Sequence, residues 1–125
     1  MPKLKVYEYS GCDTCRKARK YLAAKSIEHE LIPIRETPPT KAELRRVLKH
    51  YGGNIKKLFN TSGGDYRAAK LGKKLPLLTT EAALDLLTGN GNLVKRPFVP
   101  TSTGGLVGFR ESEWDELLGA APDRP

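Results

Sequence analysis

Ser10-Gly11-Cys12-Asp13-Thr14-Cys15-Arg16-Lys17-Ala18 is the stretch from which the fold can be read. Before it, Leu4 and Val6, with Tyr7 and Tyr9 between polar neighbours, form an alternating run over about 3–9 that predicts a strand ending at Gly11. After it, Cys15, Ala18, Tyr21 and Leu22 recur at helical spacing, so a helix is expected over about 13–25. Cys12 therefore stands where a strand becomes a helix N-terminus. Free backbone N–H groups and the helix dipole favour negative charge there. The first thiol of a Cys-x-x-Cys at such a position can ionise well below its usual range. Arg16, Lys17, Arg19 and Lys20 add positive potential, and Cys15 lies one turn on, in reach of a mixed disulfide formed on Cys12. Cys12 is the candidate nucleophile and Cys15 the candidate resolving thiol.

Two other uses of the pair stay open at this point. Half of a zinc site would need ligands that only His29 and His50 could supply, since the chain has two cysteines. A structural disulfide across so short a loop would constrain the unfolded chain little. No bound metal or cofactor is expected.

The chain has 125 residues, enough for one domain over 1–125 with one substantial core. No run of eighteen apolar residues occurs, so no membrane span is expected. Met1-Pro2-Lys3-Leu4-Lys5 lacks the apolar stretch of a signal peptide, and the cysteine usage fits a reducing cytoplasm. The net charge of +8 is uneven: residues 1–74 carry 18 Lys/Arg against 7 Asp/Glu, +11, and the remainder 4 against 7, −3. A basic surface attracts anions, such as an acidic protein, an oxyanion or glutathione, and also keeps a protein soluble as a monomer. No basic tract is interleaved with aromatics, which argues against direct nucleic-acid binding.

Ser26 to Pro33 reads as a second strand, with His29 alternating between Ile27 and Leu31 at the surface or an edge. A strand, helix and strand so connected make a right-handed parallel βαβ unit. Thr40-Lys41-Ala42-Glu43 is a capping box, followed by the stripe Leu44, Val47, Leu48, Tyr51 and a Gly52 stop, with His50 off the stripe and solvated. Further short helices are expected at 55–59, at 66–71 closed by Gly72, and from Thr79 or Thr80 to Leu87, ended by Gly89. The Asn60-to-Asp65 loop is either a plain turn or an anion-binding nest. Residues 93–100 read as a loop entering a strand, 101–105 as a turn and 106–109 as its antiparallel partner. Ser112-x-x-Asp115 would cap a last helix bearing Trp114, Leu117 and Leu118, with a frayed tail over 120–125. The order β-α-β, helices, β-β-α is that of an α/β, thioredoxin-like mixed sheet with a helical insertion, about 40–90, between its halves.

With that order established, several segments resemble the glutaredoxin-linked arsenate reductases and the related transcription regulator Spx. They are Gly11-Cys12-x-x-Cys15-Arg16-Lys17-Ala18, Glu36-Thr37-Pro38-Pro39-Thr40, Leu58-Phe59-Asn60-Thr61-Ser62-Gly63 with Tyr66-Arg67, Lys95-Arg96-Pro97-Phe98-Val99 and Gly108-Phe109-Arg110. The resemblance implies a cis Arg96–Pro97 bond and two arginines, Arg96 and Arg110, converging on Cys12 as an oxyanion pocket. Three departures stand out. Asn60 occupies the place of a third arginine, with Arg67 the candidate to replace it. Glu8 stands where the reductases have a histidine, and Cys15 accompanies a cysteine that is solitary in them but paired in Spx. The implied function is a thiol oxidoreductase acting on a small oxyanion or thiol substrate, with glutathione and glutaredoxin, or thioredoxin, as electron donor. The alternative is a regulator that docks on RNA polymerase near Gly52 and is switched by a Cys12–Cys15 disulfide.

Overall fold

The computed structural model describes residues 3–119; the expected tail over 120–125 lies outside them. Four strands form one mixed sheet in the order β2-β1-β3-β4. β1 (Leu4–Glu8) pairs in parallel with β2 (His29–Pro33), from Leu4 opposite His29 to Glu8 opposite Pro33. β3 (Phe98–Thr101) runs antiparallel to β1 and to β4 (Gly104–Val107). This is the thioredoxin-like arrangement.

Neighbouring strand residues point to opposite faces, and over β1, β3 and β4 both faces are covered, while the edge strand β2 is largely exposed. Val6, Val99 and Leu106 pack under α1 (Asp13–Ala24) with Ala18, Leu22 and Trp114. Tyr7, Phe98 and Val107 face the other way, onto α2 (Lys41–His50) through Leu44, Val47 and Leu48. The insertion joins this second core. It comprises a 3-10 turn at Ile55–Leu58, α3 (Gly64–Ala68), α4 (Leu71–Lys74), a 3-10 turn at Leu75–Leu77, α5 (Thr80–Gly89) and a 3-10 turn at Gly91–Leu93. At Gly91 the insertion meets the chain just past β2, where a Cβ would lie 1.9 Å from the Ile34 carbonyl oxygen. Only glycine lets two backbones meet so closely.

The capping box at Thr40 is present: Glu43 N–H donates to Thr40 Oγ1 at 3.1 Å and Thr40 N–H to Glu43 Oε1 at 3.0 Å. Gly52 (φ +71°) follows the α2 cap, and Thr79 Oγ1 accepts from Ala82 N–H to cap α5. His29 sits on the outer strand, half-buried, and His50 is exposed.

Four expected boundaries move. β2 starts at His29, not Ser26, because Ser26 (φ 56°) closes α1 with its N–H on Ala23 O while Ile27 N–H reaches Leu22 O at 3.0 Å. That is a Schellman stop with serine at its left-handed position. The helix expected over 66–71 breaks at Lys70 (φ 55°), and Gly72 lies inside α4; the turn brings Leu71 and Leu75 into the core. The hairpin turn is narrower than 101–105, and β4 begins at Gly104, since Gly105 must pass Val47 and the Val99 carbonyl, each 2.5 Å from where its Cβ would stand. Ser112 and Asp115 do not cap the last helix. α6 (Glu111–Trp114) starts after Arg110 without a side-chain cap and continues as a π turn over Asp115–Gly119. Asp115 instead accepts the Tyr21 hydroxyl at 2.6 Å.

Glu43 links α2 to the sheet. Beyond its capping role it accepts the Tyr7 hydroxyl at 2.7 Å and pairs with Lys5 at 3.1 Å. Burial pushes its carboxyl up, but hydrogen bonds from the Thr40 N–H, Tyr7 and Lys5 outweigh that and hold it below the usual carboxylate range. A depressed native pKa adds stability above the unfolded value, about 4.3, which is lost as pH falls through the native value. An acid titration followed by urea unfolding should therefore show a loss below about pH 4 that is smaller in Glu43→Gln. Equal slopes in the two proteins would contradict this role.

Candidate active site

Cys12 is the N-cap of α1, in extended conformation, and its Sγ accepts the Cys15 N–H at 3.3 Å. Its own N–H is tied to Tyr9 O at 3.1 Å, so the end of β1 and the start of α1 hold it from both sides. Cys12 is half-buried and Cys15 fully buried, both as free thiols. Burial pushes the Cys15 thiol up to about 12; a backbone hydrogen bond at Tyr9 works against this, while Cys12 and the Glu8 charge add to it. Cys15 thus stays protonated at neutral pH.

Glu8 is buried and ion-paired with Arg19 of α1. Arg16, the nearest basic residue after the motif, is occupied by Asp13 at 2.7 Å on the exposed face.

A cavity of about 480 Å³ reaches α1 at Thr14, two residues past Cys12; Cys12 itself does not line it. Its walls carry Lys56 and Lys57 from the insertion, Lys95 and Arg96 from the segment entering β3, Arg110 from beyond β4, and Glu113. Five cations face one carboxylate, and that carboxylate accepts the Tyr51 hydroxyl at 3.1 Å. Arg96 precedes Pro97 through a cis peptide bond. Its guanidinium carbon lies 5.2 Å from the centre of the Tyr9 ring, and its Nη1 is buried with no hydrogen-bond partner among the described residues. A buried guanidinium nitrogen without a partner is costly.

Of the residues singled out from the sequence, Arg96 and Arg110 share this cavity. Arg67 does not join them: its Nη1 donates to Ser62 O at 2.7 Å, and it lines a separate cleft with Thr61, Tyr66, Lys70 and Lys73. Asn60 reaches across the insertion, its N–H on Leu93 O at 2.7 Å and its side chain toward Asn92 O at 3.5 Å, while the next residue, Thr61, lines the cavity. The expected set lacked Thr14, Lys56, Lys57 and Lys95. Lys95 was signalled by its place before Arg96-Pro97, whereas nothing local distinguishes Lys56 and Lys57 from ordinary surface charge. Among the described residues no three His, Cys, Asp or Glu side chains cluster as a metal ion would need, and no helix is long and apolar enough to cross a membrane.

The chain is 41% identical over 113 residues to uncharacterized protein YusI of Bacillus subtilis, covering 90% of this chain and 96% of that one. The solved structure of a possible arsenate reductase from Streptococcus mutans superposes with a TM-score of 0.83 at 36% identity, over 92% of this chain and 99% of the other. Global transcriptional regulator Spx 1 of Lactococcus lactis is 30% identical over 108 residues, covering 86% of this chain and 83% of Spx 1. Residues 7–117, which run from β1 through the whole cavity wall to the turn after Trp114, match the ArsC family, and the protein belongs to it.

Proposed function

We propose that this protein is a thiol-dependent reductase in which Cys12 attacks an oxyanion or disulfide substrate that reaches it from the basic cavity opening beside α1 at Thr14. Arg96 and Arg110, lining one cavity together with Lys56, Lys57 and Lys95, carry this reading. With a disulfide substrate, the Cys12 thiolate bonds one sulfur and expels the other as a thiolate. Cys15 then loses its proton and attacks Cys12, releasing the second thiol and leaving a Cys12–Cys15 disulfide. With arsenate, Cys12 displaces a hydroxide or water from arsenic. Attack on the Cys12 sulfur by Cys15 or glutathione passes the electron pair to arsenic and releases arsenite. Glutathione with glutaredoxin, or thioredoxin, returns the two electrons. Arg96 and Arg110 stabilise the charge on the bound anion.

A second reading is a redox-sensing regulator that docks on RNA polymerase. The Cys12-x-x-Cys15 pair at the start of α1, together with the likeness to Spx 1, favours it.

Steady-state turnover of arsenate and of a small anionic disulfide, with each donor system, separates the two. Arg96→Met is expected to raise KM by roughly 10- to 100-fold, the worth of charge-assisted hydrogen bonds. Absence of turnover with every donor, alongside retention of RNA polymerase on the immobilised oxidised protein, would replace the enzyme with the regulator.

A further inference from the structure

Tyr9 lies outside the residues that line the cavity, yet two guanidinium groups rest on its ring: Arg96 at 5.2 Å and Arg35 at 4.1 Å from the ring centre. The ring packs so closely on Gly11, next to Cys12, that a Cβ there would lie 2.9 Å from it. The Tyr9 carbonyl meanwhile accepts the Cys12 N–H. Arg35 is fixed from outside: its Nε donates to Asn92 Oδ1 at 2.7 Å, and Asn92 donates in turn to Asp65 at 3.2 Å. One aromatic ring therefore touches the thiol-bearing loop, the anion-site arginine and a tether to the insertion.

A guanidinium near the site could be held by a carboxylate, but a carboxylate would cancel its charge and occupy its N–H donors. An aromatic face holds it through the ring quadrupole and takes up no N–H. We infer that Tyr9 is a positioning residue that holds the Arg96 guanidinium by its ring face at the wall of the basic cavity, and that Arg35 on the same ring ties this arrangement to the insertion. The inference rests on the reading of Arg96 as an anion ligand.

The experiment measures how arsenate protects Cys12 of the fully reduced protein from iodoacetamide, with the labelled cysteine located by tandem mass spectrometry. Wild type is compared with Arg96→Met, Tyr9→Leu and Tyr9→Phe, each first checked for an intact melting transition. Arg96→Met should raise the half-protecting arsenate concentration at least tenfold. Tyr9→Leu should raise it roughly 3- to 10-fold, and Tyr9→Phe, which keeps the ring face, should stay within about twofold of wild type. A weakened Arg96→Met beside an unchanged Tyr9→Leu would overturn the role of Tyr9 while leaving the anion site standing. So would a Tyr9→Phe as impaired as Tyr9→Leu, since the hydroxyl and not the face would then matter. No protection of wild type, or none lost in Arg96→Met, would bring down the anion-site reading and this inference with it. Should Tyr9→Leu fail to fold, a trifluorinated phenylalanine at position 9 keeps the shape and removes the negative ring face. It should weaken protection relative to phenylalanine, and equal protection would overturn the inference.

Discussion

Cys12→Ser is expected to lower turnover by on the order of 10³-fold or more while leaving the fold intact. The two halves of that expectation have separate causes. A serine hydroxyl is a far weaker acid than a thiol, so the helix N-terminus and the cavity cations leave it un-ionised at neutral pH, and an alcohol displaces neither thiolate nor hydroxide. Structurally, however, Cys12 is an N-cap whose sulfur accepts the Cys15 N–H at 3.3 Å, and serine is among the preferred residues for that place. The variant should melt at or slightly above the wild-type temperature. Kinetics and a melting curve on the same preparation check both halves. A Cys12→Ser protein that keeps more than a tenth of the activity would move the nucleophile elsewhere, and a Cys15→Ser comparison would show whether it had moved one turn along α1.

Trp114→Ala should carry the largest stability loss, about 3–5 kcal/mol. The indole is wholly buried and meets Tyr21 edge-on at 5.7 Å and Phe109 at 5.1 Å between ring centres. Its Nε1–H donates to Gly108 O at 3.1 Å, so truncation also strips a buried carbonyl of its donor. In a protein of this size the melting temperature should fall by roughly 10–20 °C. Urea unfolding of Trp114→Ala and Trp114→Phe would check it, with phenylalanine intermediate because it refills most of the space but cannot donate. A loss under about 1 kcal/mol would mean that the indole is not what anchors α6. The same contact holds the chain at Gly108 on its way to Phe109 and Arg110, so a folded Trp114→Phe protein should bind anions more weakly as well.

The parts of the fold readable from the sequence are those fixed by neighbours in the chain. The change from period two to helical spacing across Gly11 located β1, α1 and the N-cap cysteine, because both sides of that boundary are set within about ten residues. The Thr40–Glu43 box was legible for the same reason. Errors came where a distant partner decided. Asp115 turned to the Tyr21 hydroxyl, 94 residues away in sequence, rather than to its own helix. Gly105 became strand because α2 lies against it, and Lys70 took a left-handed conformation so that Leu71 could be buried. In the site, Arg96 and Arg110 were named through a family likeness, which carries long-range information that spacing does not. Lys56 and Lys57 enter the cavity only because the insertion folds back over the thiol end of the sheet.

The glycines at the two ends of the insertion serve opposite needs. At Gly91 main chain presses on main chain at Ile34, and no side chain lies between them to yield. At the other end Gly52 and Gly53 both have positive φ and open space where a Cβ would be, immediately before Asn54, Lys56 and Lys57. Alanine at position 91 should therefore push the insertion away from the end of β2, whereas alanine at 52 or 53 would meet no atom and strain only the backbone.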